Sequence, residues 1–314
     1  MFKDKRIVSV ECLRIVMMFG IVLLHIVTQD GYFGSSGIFT RHFINCLSPS
    51  VVGFVFISGY FGINFKVKKI VNLLAMAVFY AIALGVACGW DRVIARLTND
   101  WFLYGYVVLM FCAPIMNVAV ETLGWRILGL PFCVFIWSYL CVIPGIKQYI
   151  PHPYGFAPLS FFTMMGIYCV ARLYSVKGLE AKIQNHPGVS LCGWVISLAL
   201  VFIGFYHHNS LAALSVVGIT FAFVRKINVP TCISRVVKFV SPSVFAIYLI
   251  HSSPLGHVVR RSLLKILSHE FTIMIAWLIS ALVIFMGAVV IDILRRYVVT
   301  AYCKIWCRFK IIGE

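Results

Sequence analysis

Residues 7–27 read IVSVECLRIVMMFGIVLLHIV, a run of apolar residues that carries Glu11, Arg14 and His25 inside it. Twenty-one residues in a helix span the hydrocarbon core of a bilayer. A charged side chain near the centre of such a span costs about 2.5–3.5 kcal/mol, so charges retained there mark either an internal pairing or a function. Eleven residues at 100° per residue come to within about 20° of three full turns, which puts Arg14 and His25 on one helix face. At 1.5 Å per residue the two stand about 16.5 Å apart along the axis, roughly half of a hydrocarbon core about 30 Å thick.

The rest of the chain has the same character. Of its 314 residues 61% are hydrophobic and 12% charged, with mean hydropathy +0.97, whereas soluble domains average about 45–50% apolar and 25% charged residues. The expected fold is all-α: a polytopic helical membrane bundle forming one transmembrane domain over residues 1–314, with no appended soluble domain. Ten spans are expected, over 7–27, 44–64, 70–89, 102–119, 126–144, 158–174, 190–206, 210–225, 239–257 and 271–294. The basic start, Lys3, Lys5 and Arg6, resembles a signal peptide. Glu11 and Arg14 inside the following run, and the lack of a small-residue cleavage site before Gly31, favour a retained first span.

A net charge of +17 would point to nucleic acid in a soluble protein. Here the basic residues sit in short loops, so they are read as topogenic and no nucleic-acid partner is expected. With the N-terminus inside, 19 of the 27 Lys and Arg fall on inner segments and 7, including Arg92, Arg96, Lys147 and Arg260, on outer ones. That asymmetry predicts cytoplasmic termini. Anionic lipid headgroups remain local partners for such charge. Aromatic residues at run ends, Tyr60, Trp90, Trp125 and Tyr154 among them, fit an interfacial belt. The eleven cysteines include no CxxC pair and are read as packed thiols. Cys303 and Cys307 lie one turn apart with no nearby His or carboxylate, and no metal is expected.

Several constellations admit two readings. Arg14 meets an anionic group from the cytoplasm while a neutral His25 accepts a proton near the outer surface, or Arg14 pairs with Glu11 and His25 rests among headgroups. His251 falls in the outer half of another span, one turn after Tyr248, and is either a packing residue or half of a shared polar site with His25. Ser58 and Gly59 in Phe56-Ile-Ser-Gly allow close helix approach. Lys66, Lys68 and Lys69 are inside-positive charge and also a potential phosphate-binding surface. Asn117 closes a span that opens with Trp101-Phe-Leu-Tyr104. His152, His207 and His208 are read as solvated loop residues.

Arg14-x10-His25 with an acidic residue three positions earlier, Phe56-x-x-Ser-Gly59, Trp101-Phe-Leu-Tyr104 and Ser241-x-Ser-x4-Tyr248-Leu-Ile-His251 occur in the order found in membrane acyltransferase family 3. The chain resembles the small bacterial surface-polysaccharide O-acetyltransferases of that family, over nearly its whole length. The resemblance implies a multi-pass enzyme of the bacterial cytoplasmic (inner) membrane. Its donor would be cytoplasmic acetyl-CoA or another acyl-CoA, and its acceptor a hydroxyl on a lipid-linked or extracytoplasmic glycan. The family's Arg and His carry over to Arg14 and His25, with His25 as base or transient acyl carrier. Basic residues after Ser-Gly, arginine in the family, are Lys66, Lys68 and Lys69 here. With Arg14 they would hold the CoA phosphates, Glu11 and Ser58 would support them, and His251 and Tyr248 would orient the acceptor or stabilise the oxyanion. Intramembrane Arg and His also mark transport paths, so a transporter or flippase for an anionic or glycan substrate is the alternative; a third reading is an acyl-CoA-binding sensor or assembly partner without turnover.

Overall fold

The computed structural model describes residues 7–29, 38–91, 94, 101–140, 161–204, 210–270 and 272–312. Lys3, Lys5, Arg6, Arg92, Arg96, Lys147, His152, Tyr154, His207 and His208 lie outside the described residues, as do the side chains of Trp101, Cys303 and Cys307. Among the described residues all regular structure is helical. The elements are α1 Val8–Gln29, α2 Ile38–Leu47, α3 Pro49–Phe61, α4 Val67–Cys88, α5 Trp101–Leu123, α6 Gly129–Leu140, α7 Phe161–Val176, α8 Leu179–Asn185, α9 Pro187–Ile203, α10 Ser210–Arg225, α11 Thr231–Val240, α12 Val244–His251, α13 Pro254–Glu270 and α14 Ile273–Ile312. Two short 3-10 turns, Gly124–Leu128 and Ser241–Ser243, join α5 to α6 and α11 to α12. Helices are what lipid permits, because each backbone N–H and C=O is satisfied within its own segment.

Among the described residues six stretches are long and apolar enough to cross a membrane: Val8–Thr28, Phe39–Phe61, Val67–Val86, Phe102–Ile136, Thr231–His251 and Ile273–Ala301. Phe161–Val176 and Leu211–Arg225 are shorter apolar helices, and α8 with α9 makes a pair bent by 106°. Four expected spans differ in construction. Those over 102–119 and 126–144 run into one stretch through the 3-10 turn that begins at Gly124. The one over 190–206 is the second limb of the bent pair. Pro187 breaks that pair, because a proline pushes the residue before it out of helical geometry, and His186 sits at φ −124° and ψ 63°. The one over 239–257 stops at His251 and restarts at Pro254.

Helix α1 is the hub. Its span is 61% buried, against 33–50% for the other five, and it packs against α2, α3, α10, α11, α12 and α14. Lipid is as apolar as leucine, so association of these helices rests on close packing and interhelical hydrogen bonds. Both are present. A Cβ at Gly59 would stand 2.6 Å from the Tyr168 carbonyl oxygen and 2.9 Å from the Ala171 Cβ, so α3 and α7 meet there only because residue 59 is glycine. The Tyr168 hydroxyl accepts the Ile63 N–H at 2.8 Å and donates to Asn117 at 2.8 Å. Tyr80 donates to Asp292 at 2.8 Å, joining α4 to α14, and Trp194 donates to Thr220 at 3.0 Å, joining α9 to α10. Tyr60, expected in the interfacial belt, is instead buried, its phenol held by Glu180 and Arg225.

Candidate active site

Three charged or ionisable groups of α1 take different environments. Glu11 is buried and Arg14 half-buried, and they pair at 3.0 Å across one helical turn. Eleven residues further on, His25 meets α12: its Nδ1 lies 2.8 Å from Nε2 of His251. His251 is 2% exposed, and its Nδ1 lies 2.9 Å from the Ile247 carbonyl one turn earlier. A carbonyl only accepts, so neutral His251 carries its proton on Nδ1 and presents a lone pair on Nε2. His25 Nδ1–H therefore donates to that lone pair, and the basic lone pair of neutral His25 falls on its own Nε2. The rings lie 19° from parallel with centroids 5.0 Å apart, the separation of an edge-on N–H···N contact.

The end of α12 is built to hold this geometry. Ser252 Oγ donates to the Tyr248 carbonyl at 2.8 Å, and Ser253 Oγ donates to the Ile250 carbonyl at 2.5 Å while accepting the Gly256 N–H at 3.1 Å. A Cβ at Gly256 would fall 2.4 Å from the His251 carbonyl oxygen, so only glycine lets α13 start against that carbonyl. Tyr248 stands edge-on to His251, centroids 5.7 Å apart, and touches Phe102 of α5 at 5.1 Å. Phe102 stacks on Tyr106 at 5.9 Å, and the Tyr106 hydroxyl lies 3.1 Å from Ser58 Oγ. The expected residues His25, His251, Tyr248 and Ser58 are thus linked through Phe102 and Tyr106, which the sequence did not single out. The clue in the sequence is the aromatic opening of α5, Trp101-Phe-Leu-Tyr104, which reads as interfacial anchoring and as one motif of the resemblance but assigns Phe102 no partner.

The other end is assembled differently. Lys66, Lys68 and Lys69 are exposed at the start of α4. The turn before them is pinned by Tyr168 and by Asn117, whose Nδ2 donates to the Ile63 carbonyl at 3.3 Å. Arg172, counted only as topogenic charge, pairs with Glu121 at 2.6 Å and lies against Gly62, which sits at φ +70°. Arg260, counted as an outer loop charge, is 1% exposed and donates to His257 Nδ1. Between Arg14 and His25 the shared face of α1 carries Met18, Ile21 and Val22, all packed in the apolar core. That face is closed by side chains, of which Met18 is unbranched and adaptable while Ile21 and Val22 are β-branched and stiff.

A half-buried proton acceptor backed by a buried imidazole, with a cation one core-half below it, suits transfer of a group between the two sides. A family model described as an acyltransferase domain matches residues 7–295. The chain belongs to membrane acyltransferase family 3. No curated protein and no solved structure matches it. The membrane acyltransferase domain runs from the residue before α1 to Arg295 in α14, so it includes both imidazoles, the Glu11–Arg14 pair and the lysine turn.

Proposed function

We propose that this membrane acyltransferase moves an acyl group, acetyl in the first instance, from acyl-CoA to a hydroxyl of a lipid-linked or extracytoplasmic glycan. The observation that carries the reading is the 2.8 Å contact of His25 with His251. In this scheme His25 Nε2 takes the proton of the acceptor hydroxyl as its oxygen attacks the thioester carbonyl carbon. The carbon–sulfur bond breaks, and the imidazolium returns the proton to the departing CoA thiolate. His251 Nε2 accepts the hydrogen bond of the developing imidazolium and stabilises it. Tyr248 lies beside the pair, placed to orient the acceptor or to donate to the oxyanion.

At the other end, Arg14 exchanges part of its contact with Glu11 for a CoA phosphate, and Lys66, Lys68 and Lys69 add long-range attraction. The donor's pantetheine arm then lies along α1 in the space that Met18, Ile21 and Val22 fill at rest, so the scheme requires all three to give way. The Lys and Arg asymmetry supports cytoplasmic termini, and with about ten crossings in a bacterial inner membrane the donor meets Arg14 from the cytoplasm. No metal takes part in the scheme. The test is transfer of label from acetyl-labelled acetyl-CoA to membrane glycan by the purified protein in lipid discs. Wild type is expected to label the glycan, and His25→Ala to be inserted normally and label it about a thousandfold more slowly. Full labelling by His25→Ala rejects the scheme, and movement of intact glycan without label transfer favours transport.

A further inference from the structure

A second polar cluster lies away from the imidazole pair, where α14 passes the 3-10 turn Ser241–Ser243. Asp292 is 0% exposed and takes Arg295 at 2.8 Å and Arg296 at 3.2 Å, so one carboxylate answers two guanidiniums. Arg296 also donates to Ser243 Oγ at 3.1 Å. Ser243 precedes His251 by eight residues of helix, about 12 Å, which sets Arg296 toward the Arg14 end of α1. Arg296 opens on a groove of about 390 Å³ between α11 and α14, lined with Phe239, Ile293, Tyr297, Thr300 and Ala301. The groove faces outward, since Phe239 is 56% and Tyr297 72% exposed.

We propose that this groove binds one anionic phospholipid of the leaflet at the Arg14 end, with the phosphate on Arg296 and one acyl chain along α14. The charge balance selects the headgroup: Asp292 neutralises one of two guanidiniums, and exposed Lys238 on α11 adds a further positive charge beside Phe239. The outward surface supplies the tail site. Met286, Val290, Ile293 and Tyr297 follow each other at spacings of four, three and four, one stripe of the helix, and Met286 and Val290 are exposed. The guanidinium is held from behind by Asp292 and Ser243, so the lipid meets a side chain already in place. A bound lipid thus sits one hydrogen bond from the turn that launches α12.

Thr300 gives a clean probe, because it is exposed and its hydroxyl bonds only to the Arg296 carbonyl within its own helix. Lipid retention is read by native mass spectrometry of the full chain taken from discs of phosphatidylglycerol mixed equally with phosphatidylcholine. Wild type is expected to keep one phosphatidylglycerol in about fivefold preference, the size expected from one or so extra basic contacts at a membrane surface. Thr300→Glu, which adds a carboxylate to the rim, is expected to remove that preference, and Thr300→Gln to keep it. Val298→Glu, also exposed but half a turn round the helix, is expected to keep it too. Equal retention of both lipids by wild type, or an unchanged preference in Thr300→Glu, overturns the proposal. The readout does not depend on acyl transfer.

Discussion

At one end of helix α1 two imidazoles 226 residues apart in sequence share a hydrogen bond, whereas at the other Arg14 finds its carboxylate three residues away on its own helix. The ends differ in charge as well as in range. The His25 end is neutral at rest in this scheme, with His251 2% exposed and His25 half-buried beside it. The Arg14 end is ionic and partly open, with a third of the arginine side chain exposed. A neutral hydrogen-bonded pair can be buried without a partner ion and still take up a proton when a substrate arrives. A guanidinium must be paired wherever it is dry, but a half-exposed pairing is weak enough to yield to a substrate anion. The two ends are therefore suited to the two halves of an acyl transfer, proton movement above and anion binding below.

Substitutions that act on one end alone sharpen that contrast. The largest expected effect is on stability: Asp292→Ala leaves two half-buried guanidiniums without their shared, fully buried carboxylate and is expected to lose about 3 kcal/mol, the low end for a broken buried pair, read from unfolding of the protein in discs. Glu11→Ala, at a half-exposed pair, should move the same midpoint far less. Next, His251→Leu is expected to lower kcat about a hundredfold with the KM for acyl-CoA unchanged. His251→Gln, whose amide oxygen still accepts from His25, should retain more activity than the leucine variant. A purely packing role for His251 gives the opposite order, since leucine suits an apolar core better than glutamine. Arg14→Gln should raise the KM for acyl-CoA about tenfold with little change in kcat, the loss of one charge-assisted contact. Replacing Lys66, Lys68 and Lys69 together by glutamine should raise that KM only about threefold, and the effect should vanish at high salt, because exposed charges are screened.

What the sequence made legible follows the range of the interaction. Helical periodicity sufficed to place Arg14 and His25 on one face and to offer the Glu11 pairing as one of two readings of Arg14, since both relations lie within a single helix. Depth counting put His251 at the level of His25, though not which nitrogen met which, because that depends on Ile247 and on how α1 and α12 approach. Gly59 announced close packing, and the contact with Tyr168 and Ala171 is of that kind. Charge counting treated every Lys and Arg alike and so missed Arg260, Arg172, Arg225 and Arg296, which are drawn inward by partners on the same or another helix. The same limit applied to Tyr60, whose partners Glu180 and Arg225 lie more than a hundred residues on. Span boundaries differed at Gly124–Leu128, where Glu121 and Arg126 interrupt the apolar run and suggest a loop between two spans, whereas the chain continues from α5 to α6 through a 3-10 turn.

The most direct test of the imidazole pair is a double-mutant cycle on kcat/KM for acyl transfer, with His25→Ala, His251→Leu and both together. If the two rings act as one proton-accepting unit, the double variant is no worse than His25→Ala alone, because the second ring has nothing left to support once the first is gone. Losses that simply multiply would mean that His251 acts independently of His25, and would contradict the account.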